Sequence, residues 1–386
     1  MKLRRILKLS IFVLVLFVSC GCDNNTNQII KDEKFPFKEG FNKIDILNEL
    51  NLNDKEDIDA FVSNGKANII VQETNSNNFF TCTNRIYSYD METNKIKEIT
   101  TFKKDTWVLA FTELENSYVY AYLEKKDLSS YTLKIEEVKD GKPKLITTAS
   151  VKSANTDDYR PYFITQGNAV YFMLSDFIQN DESEIKLNQK FIKYENDSMN
   201  ILLETKNVIS TKNYLPVEPN NIIYTNRLFA LSDGQILLQD FTDTSSRLLL
   251  YKDNKITPYA ITTSKEYLRG FIDKYAIIFS KDEQKHYLLD FRTNERKDLE
   301  YDIPIYKALN IKDNMAYIQG SMRNDILELQ DNGDFNMQLF NDKYDLMKNV
   351  DKDYSFLFIY TDGKDSFIDV TEFIDSKPVH NFYVFK

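Results

Sequence analysis

The chain has 386 residues, with 49 basic and 59 acidic side chains, three cysteines, two histidines and one tryptophan beside 24 tyrosines and 27 phenylalanines. A net charge of −10 disfavours nonspecific binding to nucleic acid or anionic headgroups. Two of the cysteines sit at positions 20 and 22, which leaves Cys82 alone and excludes a disulfide framework or a cysteine metal cage. His286 and His380 stand 94 positions apart, so neither a zinc site nor histidine base catalysis has a partner at helical spacing.

Residues 1–22, MKLRRILKLSIFVLVLFVSCGC, begin with Lys2, Arg4, Arg5 and Lys8 and contain no acid. The apolar run from Ile11 to Val18 falls well short of the ~18–20 residues that span a bilayer, which predicts a cleaved signal over residues 1–19. The segment Leu16-Phe17-Val18-Ser19-Cys20 resembles the lipobox of bacterial lipoproteins, although Phe17 stands where that family prefers leucine or another aliphatic residue. The resemblance implies that Cys20 becomes the N-terminus and carries a thioether-linked diacyl lipid of the palmitate type. Cys22, preceded by Gly21, is the alternative lipidation site, and an ordinary secretory signal is a further one. Two acyl chains anchor stably where one holds weakly, at ~0.8 kcal/mol per buried CH₂. Without the signal, 45 basic residues face 59 acidic ones, a net charge of −14. Abundant Asn, Lys and Ile suggest an AT-rich, Gram-positive source. The expected location is the extracytoplasmic face of the cell membrane.

Residues 20–40 are polar and Asn-rich and read as a flexible tether. Over residues 41–53, Ile44, Leu47 and Leu50 share a spacing that predicts a short packing helix, with an edge strand as the alternative. Residues 41–386 form the expected domain, and from about residue 56 the pattern becomes one of short β-branched and aromatic runs between Asn, Asp, Gly and Lys turns. One hairpin recurs seven times, with turns near Gly65, Asn116, Gly167, Gly234, Lys274, Asn314 and Lys352. The intervals are 51, 51, 67, 40, 40 and 38 residues, and the long one leaves room for an insertion. Each hairpin except the last is followed by a second, such as residues 85–100, 190–205 and 247–262.

Two hairpins make a four-stranded sheet, and seven such units predict an all-β, seven-bladed β-propeller of antiparallel blades. Blades sandwiched between neighbours bury both faces, so the Tyr and Phe excess reads as packing between sheets. The hairpin RIYSYDMETNKIKEIT resembles that of TolB-like propellers, with Tyr87, Asp90, Thr93, Lys95, Ile99 and Thr100 at the matching places. The resemblance implies that Asp90 and Thr93 organise a turn.

None of the ten glycines belongs to a hydrolase elbow, dinucleotide loop or phosphate loop, so no cofactor is expected. The acidic stretches 331–334 and 362–365 lack the ligand alternation of a calcium loop and read as hairpin turns. Cys82 and His286 read as packed residues, and no catalytic residue or metal ligand is assigned. Segments leading into the innermost strands pair aromatics with cations: Trp107 after Lys103 and Lys104, Tyr159 with Arg160, Tyr224 before Arg227, Tyr267 before Arg269, and Tyr306 with Lys307. In a propeller these segments ring one mouth of the channel, where ligands bind. Trp107, Tyr159, Arg160, Arg227, Tyr267, Arg269 and Lys307 are therefore the candidate binding residues, or else aromatics that cap the inner strands beside solvating cations. The expected role is non-catalytic binding of an envelope protein, peptide or glycan by a lipid-anchored propeller. A glycan-active hydrolase or lyase on the same scaffold is the competing reading.

Overall fold

The structure is a computed structural model that describes residues 41–385 except 51, 53–55, 74–82, 103–105, 126–130, 152–160, 180–183, 211–226, 232–233, 242–244, 264–265, 291, 302–304, 313, 321–323, 332, 340–354 and 375–376. Cys20, Cys22 and Cys82 lie outside the described residues. The described chain forms seven four-stranded antiparallel sheets, a seven-bladed β-propeller.

Blade 1 runs Glu56–Ser63, Lys66–Glu73, Thr83–Asp90 and Lys95–Phe102, and blade 2 Trp107–Glu113, Ser117–Lys125, Tyr131–Lys139 and Lys142–Val151. Blade 3 comprises Ile164–Gln166, Ala169–Gln179, Glu184–Glu195 and Ser198–Ser210; blade 4 comprises Arg227–Ala230, Ile236–Phe241, Ser245–Lys252 and Lys255–Thr263. Blade 5 has Glu266–Ile272, Tyr275–Ser280, Lys285–Asp290 and Arg296–Leu299, and blade 6 has Ile305–Lys312, Met315–Gly320, Asn324–Leu329 and Phe335–Leu339. Blade 7 takes Ser355–Thr361, Ser366–Ile374 and Lys377–Phe385 and borrows its fourth strand, Phe41–Ile44, from the other end of the chain.

Turn chemistry explains the hairpins. Asn64–Gly65, Asp140–Gly141, Asn196–Asp197 and Asp253–Asn254 each place two successive residues at positive φ, the backbone that matches strand twist in a two-residue turn. In blade 1, Asp90 Oδ1 accepts the amides of Glu92 and Thr93 at 3.0 and 2.8 Å. Those bonds hold its carboxyl below the usual range. Asp290 repeats the device in blade 5, accepting from Arg292 and Thr293 while Lys274 Nζ sits 3.0 Å away.

Packing follows from two-sided burial. Along Lys66–Glu73, Ile69 and Val71 face Phe367 and Phe382 of blade 7, whereas Ile70 joins Val108, Phe111 and Tyr120 of blade 2. Each fully buried aliphatic side chain contributes roughly 1.5–3 kcal/mol, so every blade is held chiefly by its neighbours. The tyrosines put their rings in these layers and their hydroxyls on acceptors. Tyr120 and Tyr122 donate to Glu136 at 2.6 and 3.0 Å, and Tyr194 of blade 3 donates to Glu137 of blade 2 at 2.5 Å.

The stretch 41–53 divides between its two expected forms: Phe41–Ile44 is an edge strand and Leu47–Leu50 a short helix. Leu50 and the preceding Ile46 are buried, while Leu47 is exposed. One expectation is corrected. For the last hairpin, the expected turn residue Lys352 lies outside the described residues, and the described pairing puts the turn elsewhere. Its first strand, Ser355–Thr361, runs on to Ser366–Ile374 through Asp362, whose Oδ1 accepts the amides of Lys364 and Asp365 at 3.0 and 2.9 Å. The 67-residue interval is partly explained by strands of 11, 12 and 13 residues in blade 3.

Candidate functional site

All seven innermost strands run in the same sense, so their starts share one end of the ring, called here the mouth, and the turns that follow them share the other. Trp107 and Arg227 are the first residues of their inner strands, Tyr267 the second, Lys307 the third and Arg269 the fourth. The fold thus brings the first four of these sequence positions to one end and places Arg269 midway along its strand. Tyr159, Arg160 and Tyr224 lie outside the described residues, and for Arg227, Tyr306 and Lys307 only the backbone is described.

The described side chains have packing duties. Trp107 is half-buried against the core between blades 2 and 3. Arg269 is only 7% exposed, its guanidinium 5.2 Å from the Phe279 ring centroid and 5.8 Å from that of Tyr267. A β-bulge between Leu268 and Gly270 positions it, and blade 2 carries a bulge at the corresponding place, between Val108 and Ala110. Arg269 is therefore a packed residue of blade 5, and its removal is expected to perturb stability as well as any ligand.

Behind Arg269, the ring of His286 lies 4.9 Å from Phe279 and 6.3 Å from Tyr301, and its Nε2 accepts the Ile305 amide of blade 6 at 3.2 Å. Burial first, and then the Arg269 charge, depress His286 to about 4. It is a neutral packed residue in a cationic setting. The sign of the pH effect follows. The unfolded chain takes up a proton near 6.5, while the folded chain refuses it until about 4. Stability falls as pH drops through that window, by up to about 3 kcal/mol. Denaturant unfolding at pH 7 and pH 4.5 checks this: His286→Gln is expected to lose less stability on acidification than the parent, and parallel losses would refute it.

The turn end of the channel is latched blade to blade by neutral polar groups. Thr112 Oγ1 bonds Ser63 Oγ at 3.0 Å and Thr165 Oγ1 at 2.7 Å, joining blades 1, 2 and 3. Gln166 donates to the Gly234 carbonyl, Thr361 to that of Asn310, and Asn310 to that of Gly363. Beside this latch, Glu113 of blade 2 takes Lys66 at 3.2 Å, Lys97 at 2.6 Å and Ser88 at 2.7 Å from blade 1. Their bonds outweigh burial and keep its carboxyl below the usual range.

One cluster escaped the sequence reading. Asp369, 1% exposed, accepts from His380 Nδ1 at 2.9 Å and Thr371 Oγ1 at 3.2 Å on the face that blade 7 turns toward blade 1. Alternation along Phe367, Asp369 and Thr371 puts these three on one face, but no spacing rule links them to His380, eleven residues beyond Asp369. Among the described residues no group of three His, Cys, Asp or Glu side chains converges as a metal site.

No protein-family model matches the chain, and no curated protein matches it. Among solved structures, it resembles the β-propeller domain of the Trilobed protease from Pyrococcus furiosus, at 10% identity and a TM-score of 0.50, over 86% of this chain and 95% of that one. That domain is described as having an open velcro topology; here Phe41–Ile44 pairs with Phe382–Phe385 and completes the last blade. An acylaminoacyl peptidase from Pyrococcus horikoshii aligns at 11% identity and a TM-score of 0.47 over 86% of this chain, which spans only about half, 52%, of that one. These likenesses concern the fold alone.

Proposed function

We propose that this protein is a lipid-anchored binding module of the cell envelope, held at the extracytoplasmic membrane face through Cys20, with Cys22 as the alternative, and taking its ligand at the mouth. The observation that carries the reading is the gathering of Trp107, Arg227, Tyr267 and Lys307 at the starts of inner strands on one end of the ring. Aromatic faces and cations on an otherwise acidic chain suit an anionic glycan, by stacking and by charge. Envelope proteins and peptides are the other ligand classes for such a rim. Among the described acid–base residues, Glu113, Glu136, Glu137, His286 and Asp369 are engaged within or between blades, in keeping with binding over turnover.

A glycan array probed with the chain from Cys20 onward tests the proposal. Binding is expected to fall at least about ten-fold, roughly 1.4 kcal/mol, in the Arg227→Ala/Lys307→Ala double variant, with the thermal midpoint held. Wild-type binding in that variant, or bond cleavage in a bound glycan, would overturn it. Detergent-phase partition of the full chain tests the anchor: Cys20→Ser is expected to abolish it and Cys22→Ser to leave it intact.

A further inference from the structure

The point at which the chain joins the ring is fixed by register. Phe41 pairs with Phe385, Phe385 pairs with Ser366, and Ser366 directly follows the blade 7 turn at 362–365. The polypeptide therefore enters the propeller at its turn end, on the outer strand of blade 7, opposite the mouth. We infer that the turn end is the membrane-facing surface and that the mouth is presented away from the bilayer. This rests on the anchor reading above and adds a direction to it.

The geometry sets how strongly the anchor can orient the ring. Twenty residues, 21–40, separate Cys20 from Phe41. A polar segment of that length, behaving as the tether its composition leads one to expect, has a root-mean-square span of roughly 25 Å. Strands of six to nine residues, such as Tyr275–Ser280 and Lys377–Phe385, make the ring roughly 20–30 Å tall. To bring the mouth to the lipid, the tether would have to run up the outside of blade 7 for most of its span, at a cost in chain entropy. Charge adds little, because exposed turn residues alternate in sign: Glu92 with Lys95, Asp140 with Lys142, Asp253 with Lys255. Orientation by the tether alone is accordingly insensitive to salt.

The test uses the chain from Cys20 onward, which retains every described residue, carrying Cys22→Ser and Cys82→Ser and coupled through Cys20 to a maleimide lipid in phosphatidylglycerol vesicles. A donor dye is placed through Asp140→p-azidophenylalanine or Asp253→p-azidophenylalanine at the turn end, or through Gln284→p-azidophenylalanine or Lys377→p-azidophenylalanine at the other end. All four positions are exposed. Energy transfer to acceptor lipids is expected to be stronger from positions 140 and 253, corresponding to a height difference of roughly 20 Å, at low and high salt alike. Equal or reversed transfer overturns the orientation, whatever the state of Cys20 in cells. Native lipidation is scored separately by mass spectrometry of the full chain, and a chain bearing no lipid overturns the anchor and with it the membrane-facing assignment.

Discussion

Gly270→Ala is expected to destabilise the propeller by at least about 3 kcal/mol, the upper range for forcing extra atoms into a packed core. A Cβ on Gly270 would lie 2.0 Å from the carbonyl oxygen of Ala308 and 2.7 Å from both its carbonyl carbon and its Cβ. The obstacle is the backbone of the neighbouring inner strand, which no rotamer change can move aside. Gly270 is therefore needed for close approach of blades 5 and 6. Gly65, Gly141, Gly167, Gly234 and Gly333 differ in kind, since each has a positive φ and open space around its Cβ position. Gly167→Ala is the natural control, because it strains one exposed turn without separating blades. Guanidinium unfolding of both variants reads the difference. A Gly270→Ala midpoint matching that of the parent would mean that the two strands do not touch.

His380→Ala carries the second large effect, a loss of about 3 kcal/mol, the upper range for leaving a buried carboxylate without its hydrogen-bond donor. Asp369 would keep only the Thr371 hydroxyl, because its Oδ1 has no hydrogen-bond partner among the described residues. The imidazole also stacks on Phe382, at 6.0 Å and 10°, and Phe382 lies opposite Ile44 of the closing strand. Weakening at His380 is thus expected to reach the seam of the ring, with faster amide exchange in Phe41–Ile44. A double-mutant cycle with Asp369→Asn is expected to return a coupling of at least about 1 kcal/mol. Additive losses would show that the contact carries no pairwise energy.

Much of the fold was legible because its information is local. Asn64–Gly65 and Asp140–Gly141 announce their turns by residue type, Asp90 and Thr93 announce a capped hairpin, and the strands between them advertise burial by composition. Blade 7 was harder. Its first strand was assigned to the wrong hairpin because Lys348–Tyr360 offers a plausible turn at Lys352, and only pairing reveals that Ser355–Thr361 continues through 362–365. Its fourth strand lies more than 330 residues from the third, and four residues of modest apolarity give no hint of so distant a partner.

The candidate residues divide in the same way. That Trp107, Arg227, Tyr267 and Lys307 begin inner strands follows from counting hairpins. That Arg269 is a buried cation between two rings, rather than a free one at the rim, depends on the bulge at Leu268 and on the approach of blade 6. The joining of Asp369 to His380 depends likewise on register between two strands.

The sequence by itself determined the blade unit, the repeat number and the surplus of aromatics, because turn type and two-sided burial are written within some forty residues. Only the tertiary structure decided which strand closes the ring, which end the chain enters from and which charged groups are buried. Those outcomes rest on contacts between segments far apart in the chain, where neither periodicity nor turn chemistry carries a signal.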